Sequence, residues 1–188
     1  MRMELRLQTK EEVKNIYNNL MTQDFPDAEL KPLESILKMM ERACYEPLGA
    51  FENGEFIGYA FMTKIPGEDY LLLDYLAVDK NMRQSGFGKE IIKSLKTFYK
   101  GKVIFIESED PSFQEGEAKA VAKKRLSFYE SNVVKDSGIL SCIFTAHYIN
   151  YYLSEKVYSR EFCKKALEKI YVTMVPKKET RDEFVVID

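Results

Sequence analysis

Between Leu71 and Tyr99 the chain changes its hydrophobic period once, across a short glycine loop. Leu71-Leu72-Leu73-Asp74-Tyr75-Leu76-Ala77-Val78 is a largely apolar run of strand length. A charged connector follows, then Arg83-Gln84-Ser85-Gly86-Phe87-Gly88. Beyond it Phe87, Ile91, Leu95 and Phe98 recur at helical spacing, with Ile92 and Tyr99 beside them. The stretch predicts strand, glycine loop, helix. The first amides of such a helix have no acceptor inside it, and the helix dipole adds partial positive charge there. An anion such as phosphate fits that place, and Gly86 and Gly88 let the backbone approach it closely. Arg83 and Lys89 can add charge. An ordinary strand-to-helix turn with two glycines fits the same spacing.

Two well-known phosphate loops are excluded. No Gly, four residues, Gly-Lys-Ser/Thr run exists. The dinucleotide fingerprint needs a third glycine three residues after the second, and Ile91 stands there.

The flanking elements narrow the fold. Arg2 to Leu7 alternates as a half-buried strand. Thr9 with Glu12 reads as a capping box, opening a helix with Val13, Ile16, Tyr17 and Leu20 on one face. A second helix runs from Pro32, a favourable first-turn residue, to Met40. Leu48–Phe51 and Glu55–Ile65 read as strands around Asn53-Gly54, a hairpin turn. Val103–Ile106 is a short buried strand, making a βαβ unit with Leu71–Val78 and the helix between them. A doubly wound sheet would alternate strand and helix throughout, which this order does not do.

Arg83-x-x-Gly86-x-Gly88 after a Leu-Ala-Val strand end resembles motif A of the GCN5-related N-acetyltransferase (GNAT) superfamily. The resemblance implies an α/β, single-domain acyl-CoA N-acyltransferase fold, a mixed, mostly antiparallel sheet with helices on both faces. It implies that loop amides from Gln84, Ser85, Gly86, Phe87, Gly88 and Lys89, with Arg83, hold the pyrophosphate of acetyl-CoA. Backbone at Leu76, Ala77 and Val78 would orient the pantetheine arm. Arg125-Leu126-Ser127-Phe128-Tyr129-Glu130 is similar to the family's second signature, whose tyrosine faces the coenzyme sulfur. Tyr129 takes that role by position, protonating the departing thiolate. A packing tyrosine, one of 12 in the chain, is the alternative.

Glu107 directly follows the apolar strand Val103–Ile106, where several acetyltransferases carry a glutamate base. It would take a proton from an amine, directly or through water. Glu109 and Asp110 beside it read as solvated loop charges. Asp74, inside the earlier strand, is the other candidate base. Two features depart from the family pattern: Asn132-Val133 stands where Gly-Phe is usual, and the Glu107–Tyr129 interval is long. The extra residues are expected around Ser112–Glu117.

The core resemblance covers residues 1–153. The remainder, 154–188, is read as a helical extension on the same domain, ending in Phe184-Val185-Val186-Ile187 as an added strand or a homodimer contact. A formal net charge of −2 argues against a nucleic-acid partner. Three widely spaced cysteines without a Cys-x-x-Cys favour free thiols in the cytoplasm. No apolar run approaches membrane-spanning length, so no membrane partner is expected. His147, the lone histidine, cannot make a metal site unaided, and no metal is expected. The reading is therefore an N-acetyltransferase using acetyl-CoA as co-substrate and a small-molecule or peptide amine as acceptor. The rival reading is an acyl-CoA-binding or regulatory module without turnover.

Overall fold

The computed structural model describes residues 3–27, 29–132 and 134–188. Arg2 of the first expected strand and Val133 of the Asn132-Val133 pair lie outside them. The chain divides into two compact units, residues 1–66 with 73–98, and residues 67–72 with 99–188.

The first unit carries β1 (Met3–Leu7), α1 (Lys10–Ile16), a π-helical turn (Tyr17–Met21), α2 (Thr22–Asp24) and α3 (Leu33–Glu41). Strands β2 (Tyr45–Glu52) and β3 (Glu55–Lys64) follow, then residues 73–78 of β4 (Tyr70–Val78) and α4 (Phe87–Phe98). The strand order is β1-β2-β3-β4, with β1 antiparallel to β2 and β2 to β3. The capping box forms as read: the Thr9 hydroxyl accepts from the Glu12 amide at 3.3 Å, and Glu12 accepts from the Thr9 amide at 2.8 Å. Asn53 and Gly54 both take positive φ (51° and 84°), the conformation that turns β2 into β3 without splaying the pair. Pro32 sits at the N-cap of α3 with ψ 136°, one position before the first helical turn in which the spacing put it. In α4, Ile91, Ile92 and Leu95 are buried, whereas Phe98 is 47% exposed.

Gly58 of β3 has a specific use. A Cβ there would lie 2.3 Å from the Ala77 carbonyl oxygen and 2.9 Å from the Val78 Cα. A hydrogen at this position lets β3 and the end of β4 approach. The Asp79 amide accordingly bonds the Ile57 carbonyl at 2.8 Å. Gly58→Ala is expected to destabilise the protein by about 1–3 kcal/mol, because backbone on both sides must give. A lowered urea midpoint at unchanged m-value would show it; an unchanged midpoint would refute the close-approach argument.

The second unit carries β5 (Val103–Glu109), α5 (Gly116–Glu130), β6 (Lys135–Ile143), β7 (Ala146–Leu153), α6 (Arg160–Met174), α7 (Lys178–Phe184) and β8 (Val185–Ile187). The order is β5-β7-β6-β8, each neighbouring pair antiparallel. Strand β5 runs three residues past the apolar run, so Glu107, Ser108 and Glu109 lie within it instead of ending it. Pairing with Asn150, Ile149 and Tyr148 of β7 holds them there, a long-range ladder that local polarity does not reveal. Helix α5 begins at Gly116, inside the Ser112–Glu117 stretch, and Glu117, Ala118, Ala120 and Val121 of its first turns are exposed. The C-terminal strand is an added one: Val185, Val186 and Ile187 pair with Ile143, Cys142 and Ser141. Among the described residues no helix is long and apolar enough to cross a membrane.

Candidate active site

In the first unit the glycine loop opens α4 at the end of β4. Leu76, Ala77 and Val78 are half-buried, and Arg83, Gln84, Ser85 and Gly86 are exposed. Phe87 and Gly88 are half-buried, and Lys89 is exposed. Asp79 steadies the connector by accepting from the Asn81 amide at 2.8 Å, holding a 3-10 turn over Lys80–Met82. Gln84 has φ 66° and Gly86 φ 82°, so two left-handed residues flank Ser85. Gly86 is the residue from which the helix starts. Its carbonyl accepts from the Lys89 amide at 3.1 Å and the Glu90 amide at 3.3 Å. The amides of the first turn then have no acceptor inside the helix. Left-handed residues beside a helix start gather such amides into an anion-binding concavity. A Cβ on Gly86 would meet nothing within 4 Å, so open space lies over that backbone.

Arg83, expected to add charge for phosphate, has a structural engagement. Its Nε donates to the Val78 carbonyl at 3.0 Å, and its guanidinium pairs with Asp24. The other oxygen of Asp24 accepts from the Tyr59 hydroxyl at 2.8 Å. Arg83 thus ties the loop to the end of β4 and to α2. Burial, with Asp24 next to it, pushes the Tyr59 phenol far above its ordinary range.

Asp74, the alternative base, is deeply set. Its side chain is 6% exposed, and it accepts from the Lys31 ammonium at 2.6 Å and from the Tyr45 hydroxyl. Lys31 is fixed further: its amide donates to the Tyr75 hydroxyl at 2.8 Å, and its carbonyl accepts from the Tyr17 hydroxyl at 3.0 Å. One carboxylate oxygen of Asp74 therefore fastens the connector before α3 onto β4, and the other ties β4 to Tyr45 at the start of β2. Burial and the Asp74 charge push the Tyr45 phenol well up.

The second unit holds Glu107 and Tyr129. Glu107, half-buried on β5, accepts a hydrogen bond from the Tyr171 hydroxyl of α6. Tyr129, a half-buried residue at the end of α5, packs edge-on against Phe128, centroids 5.2 Å apart. Burial raises its phenol to about 12, and the Arg125 charge partly opposes this. The group is thus protonated at neutral pH, the state a proton donor needs. Arg125 pairs with Glu109 at 3.3 Å, bringing the α5 signature against β5. Gly58, Asp24, Lys31 and Tyr171 were missed by the sequence reading. A tyrosine on an amphipathic C-terminal helix carries no local mark of a carboxylate partner 64 residues away.

The model of the acetyltransferase (GNAT) family matches residues 10–114. No curated protein matches the chain. A solved Bacteroides thetaiotaomicron protein assigned to the GNAT family superposes with a TM-score of 0.72 at 18% identity, covering 90% of this chain and 96% of its own. The spermidine N-acetyltransferase of Vibrio cholerae, solved with CoA and spermine, gives 0.60 at 12% identity, covering 80% and 94%. The Escherichia coli ribosomal-protein-S18-alanine N-acetyltransferase gives 0.56 at 15%, covering 84% and 99%. At these identities the structures speak to the fold, and they agree on the α/β acyltransferase architecture. The family match spans more than half of the chain, from α1 through the glycine loop to β5, and the chain belongs to the GNAT family of acetyltransferases.

Proposed function

We propose that this acetyltransferase takes its acetyl group from acetyl-CoA and passes it to a primary amine by direct attack. The observation that carries the reading is the loop at Gly86, whose left-handed backbone, open surroundings and helix-start amides suit a pyrophosphate. Amides from Gln84 to Lys89 bind the diphosphate, and backbone at Leu76, Ala77 and Val78 aligns the pantetheine. Arg83 holds loop and strand end in register through Val78 and Asp24.

Glu107 accepts the proton of the attacking amine. The nitrogen forms a bond to the thioester carbonyl carbon, the carbon–sulfur bond breaks, and Tyr129 gives its proton to the sulfur. The amide of Leu76 can donate to the carbonyl oxygen as it gains charge. The proton on Glu107 returns through solvent to Tyr129, so the products are the acetylated amine and free coenzyme A. Glu107 is preferred to Asp74 because Asp74 is 6% exposed and held in an ion pair with Lys31, whereas Glu107 is half-buried at the position the family resemblance gives the base. The family core is placed at residues 1–153, with 154–188 as an extension. Three widely spaced cysteines without a Cys-x-x-Cys support a cytoplasmic location.

The test is thiol release from acetyl-CoA against a panel of an amino-acid amide, a diamine, a polyamine and a peptide with a free N-terminus. Turnover with one class is expected, and Glu107→Gln should lower its kcat/KM by about 10²–10⁴-fold. Turnover that survives in Glu107→Gln would move the base elsewhere. No acetyl-CoA binding in folded protein would end the reading.

A further inference from the structure

Helix α6 lies beyond the matched family region, yet one of its side chains reaches the candidate base. Tyr171 is 1% exposed, and its hydroxyl sits against both Glu107 Oε1 and Ser141 Oγ, the latter at 3.1 Å. Ser141 Oγ is in turn 2.9 Å from Asn150 Nδ2. Asn150 is fully buried and directly opposite Glu107 in the β5–β7 register.

The donor inventory fixes the direction of this chain. An amide nitrogen can only donate, so Ser141 accepts from Asn150. A hydroxyl has one hydrogen. With the single Tyr171 hydrogen donated to Glu107, the 3.1 Å Ser141–Tyr171 contact is a hydrogen bond with the Ser141 hydrogen directed at the Tyr171 oxygen. Every dipole then runs one way: Asn150 to Ser141, Ser141 to Tyr171, Tyr171 to Glu107. Aligned hydrogen bonds polarise one another, and this alignment favours negative charge at its end. A neutral carboxyl at Glu107 would accept the same hydrogen more weakly than a carboxylate does.

We propose that Tyr171 is a positioning residue for acetyl transfer: through the Asn150–Ser141–Tyr171 line, helix α6 holds Glu107 ionised and fixed in rotamer. The proposal rests on Glu107 as the base. It gives the C-terminal extension a part in the reaction and makes α6 more than a packing element. Tyr171 from α6 stands against Glu107, and Tyr148 from β7 acts on Tyr171. Burial and the adjacent Glu107 charge push the Tyr171 phenol well above its ordinary range, so it stays a donor throughout the working pH.

Sign follows from which form is bonded. Hydrogen bonds to the charged form lower a carboxyl pKa, so removing the phenol hydrogen raises it. A base that protonates at higher pH moves the acid limb of the rate profile upward. The experiment is a carbon-13 titration of the glutamate side-chain carboxyls in the full chain, with the Glu107 signal assigned by its loss in Glu107→Gln. In Tyr171→Phe, which keeps the ring, the Glu107 midpoint is expected to rise by roughly one pH unit. In Ser141→Ala it should rise by less. The acid limb of kcat/KM for the amine found in the panel should move with it, while acetyl-CoA affinity stays within about twofold. A Glu107 midpoint unmoved in Tyr171→Phe overturns the proposal even where Glu107→Gln abolishes turnover. Full turnover in Glu107→Gln instead removes the base itself, and the proposal falls with that reading.

Discussion

Gly86→Glu is expected to abolish acetyl-CoA binding while leaving the fold in place. Two effects act together. Gly86 sits at φ 82°, where a residue with a Cβ is strained by roughly 1–2 kcal/mol. The new carboxylate also projects into the space that the loop amides would offer to pyrophosphate, placing like charge against like. The second effect dominates, because a Cβ at this position meets nothing within 4 Å and the protein itself has no clash to relieve. Gly86→Ala separates the two: it carries the strain with little of the occlusion and none of the charge. Calorimetric titration should show wild-type binding, a modest loss in the alanine variant and no measurable heat of binding in the glutamate variant. Glutamate-variant affinity within about threefold of wild type, in protein that unfolds cooperatively, would remove the loop from the site.

Tyr129→Phe is the second large effect, and it falls on a different step. The variant keeps the ring that packs against Phe128 and loses the hydrogen that would go to the leaving sulfur. Turnover is expected to drop by about 10²–10⁴-fold, the usual span for a positioned acid, with acetyl-CoA affinity nearly unchanged. The phenol at about 12 is protonated across the neutral range, so wild-type rate should show no decline from its ionisation below about pH 11. A variant that turns over at the wild-type rate would make Tyr129 a packing residue. A variant that loses both turnover and binding would assign it to cofactor contact.

The two predictions probe different units of the chain. Gly86 belongs with β4 and α4, Tyr129 with α5 and β5. Arg83 shows how a motif residue can serve by an indirect route: its position in the loop was legible, but its partners Asp24 and Val78 place it as a tether. Arg83→Ala would therefore disturb loop geometry as well as charge.

The sequence by itself determined what is encoded over a few residues. The capping box at Thr9 and Glu12, the left-handed pair Asn53-Gly54, and the strand–glycine loop–helix order around Gly86 all formed as read. Each rests on dihedral preference or on donors and acceptors within one turn, so local chemistry is sufficient. Element ends were less legible where a partner strand decides them, as at Glu107–Glu109. Tertiary structure alone decided the partners of the candidate acids: Asp24 with Arg83 across 59 residues, Asp74 with Lys31 across 43, and Glu107 with Tyr171 across 64. Such pairs follow from how strands register and where helices dock, which burial of apolar faces sets. A carboxylate's residue type reveals what it can do, and the fold reveals which hydroxyl or ammonium stands beside it to decide whether it does.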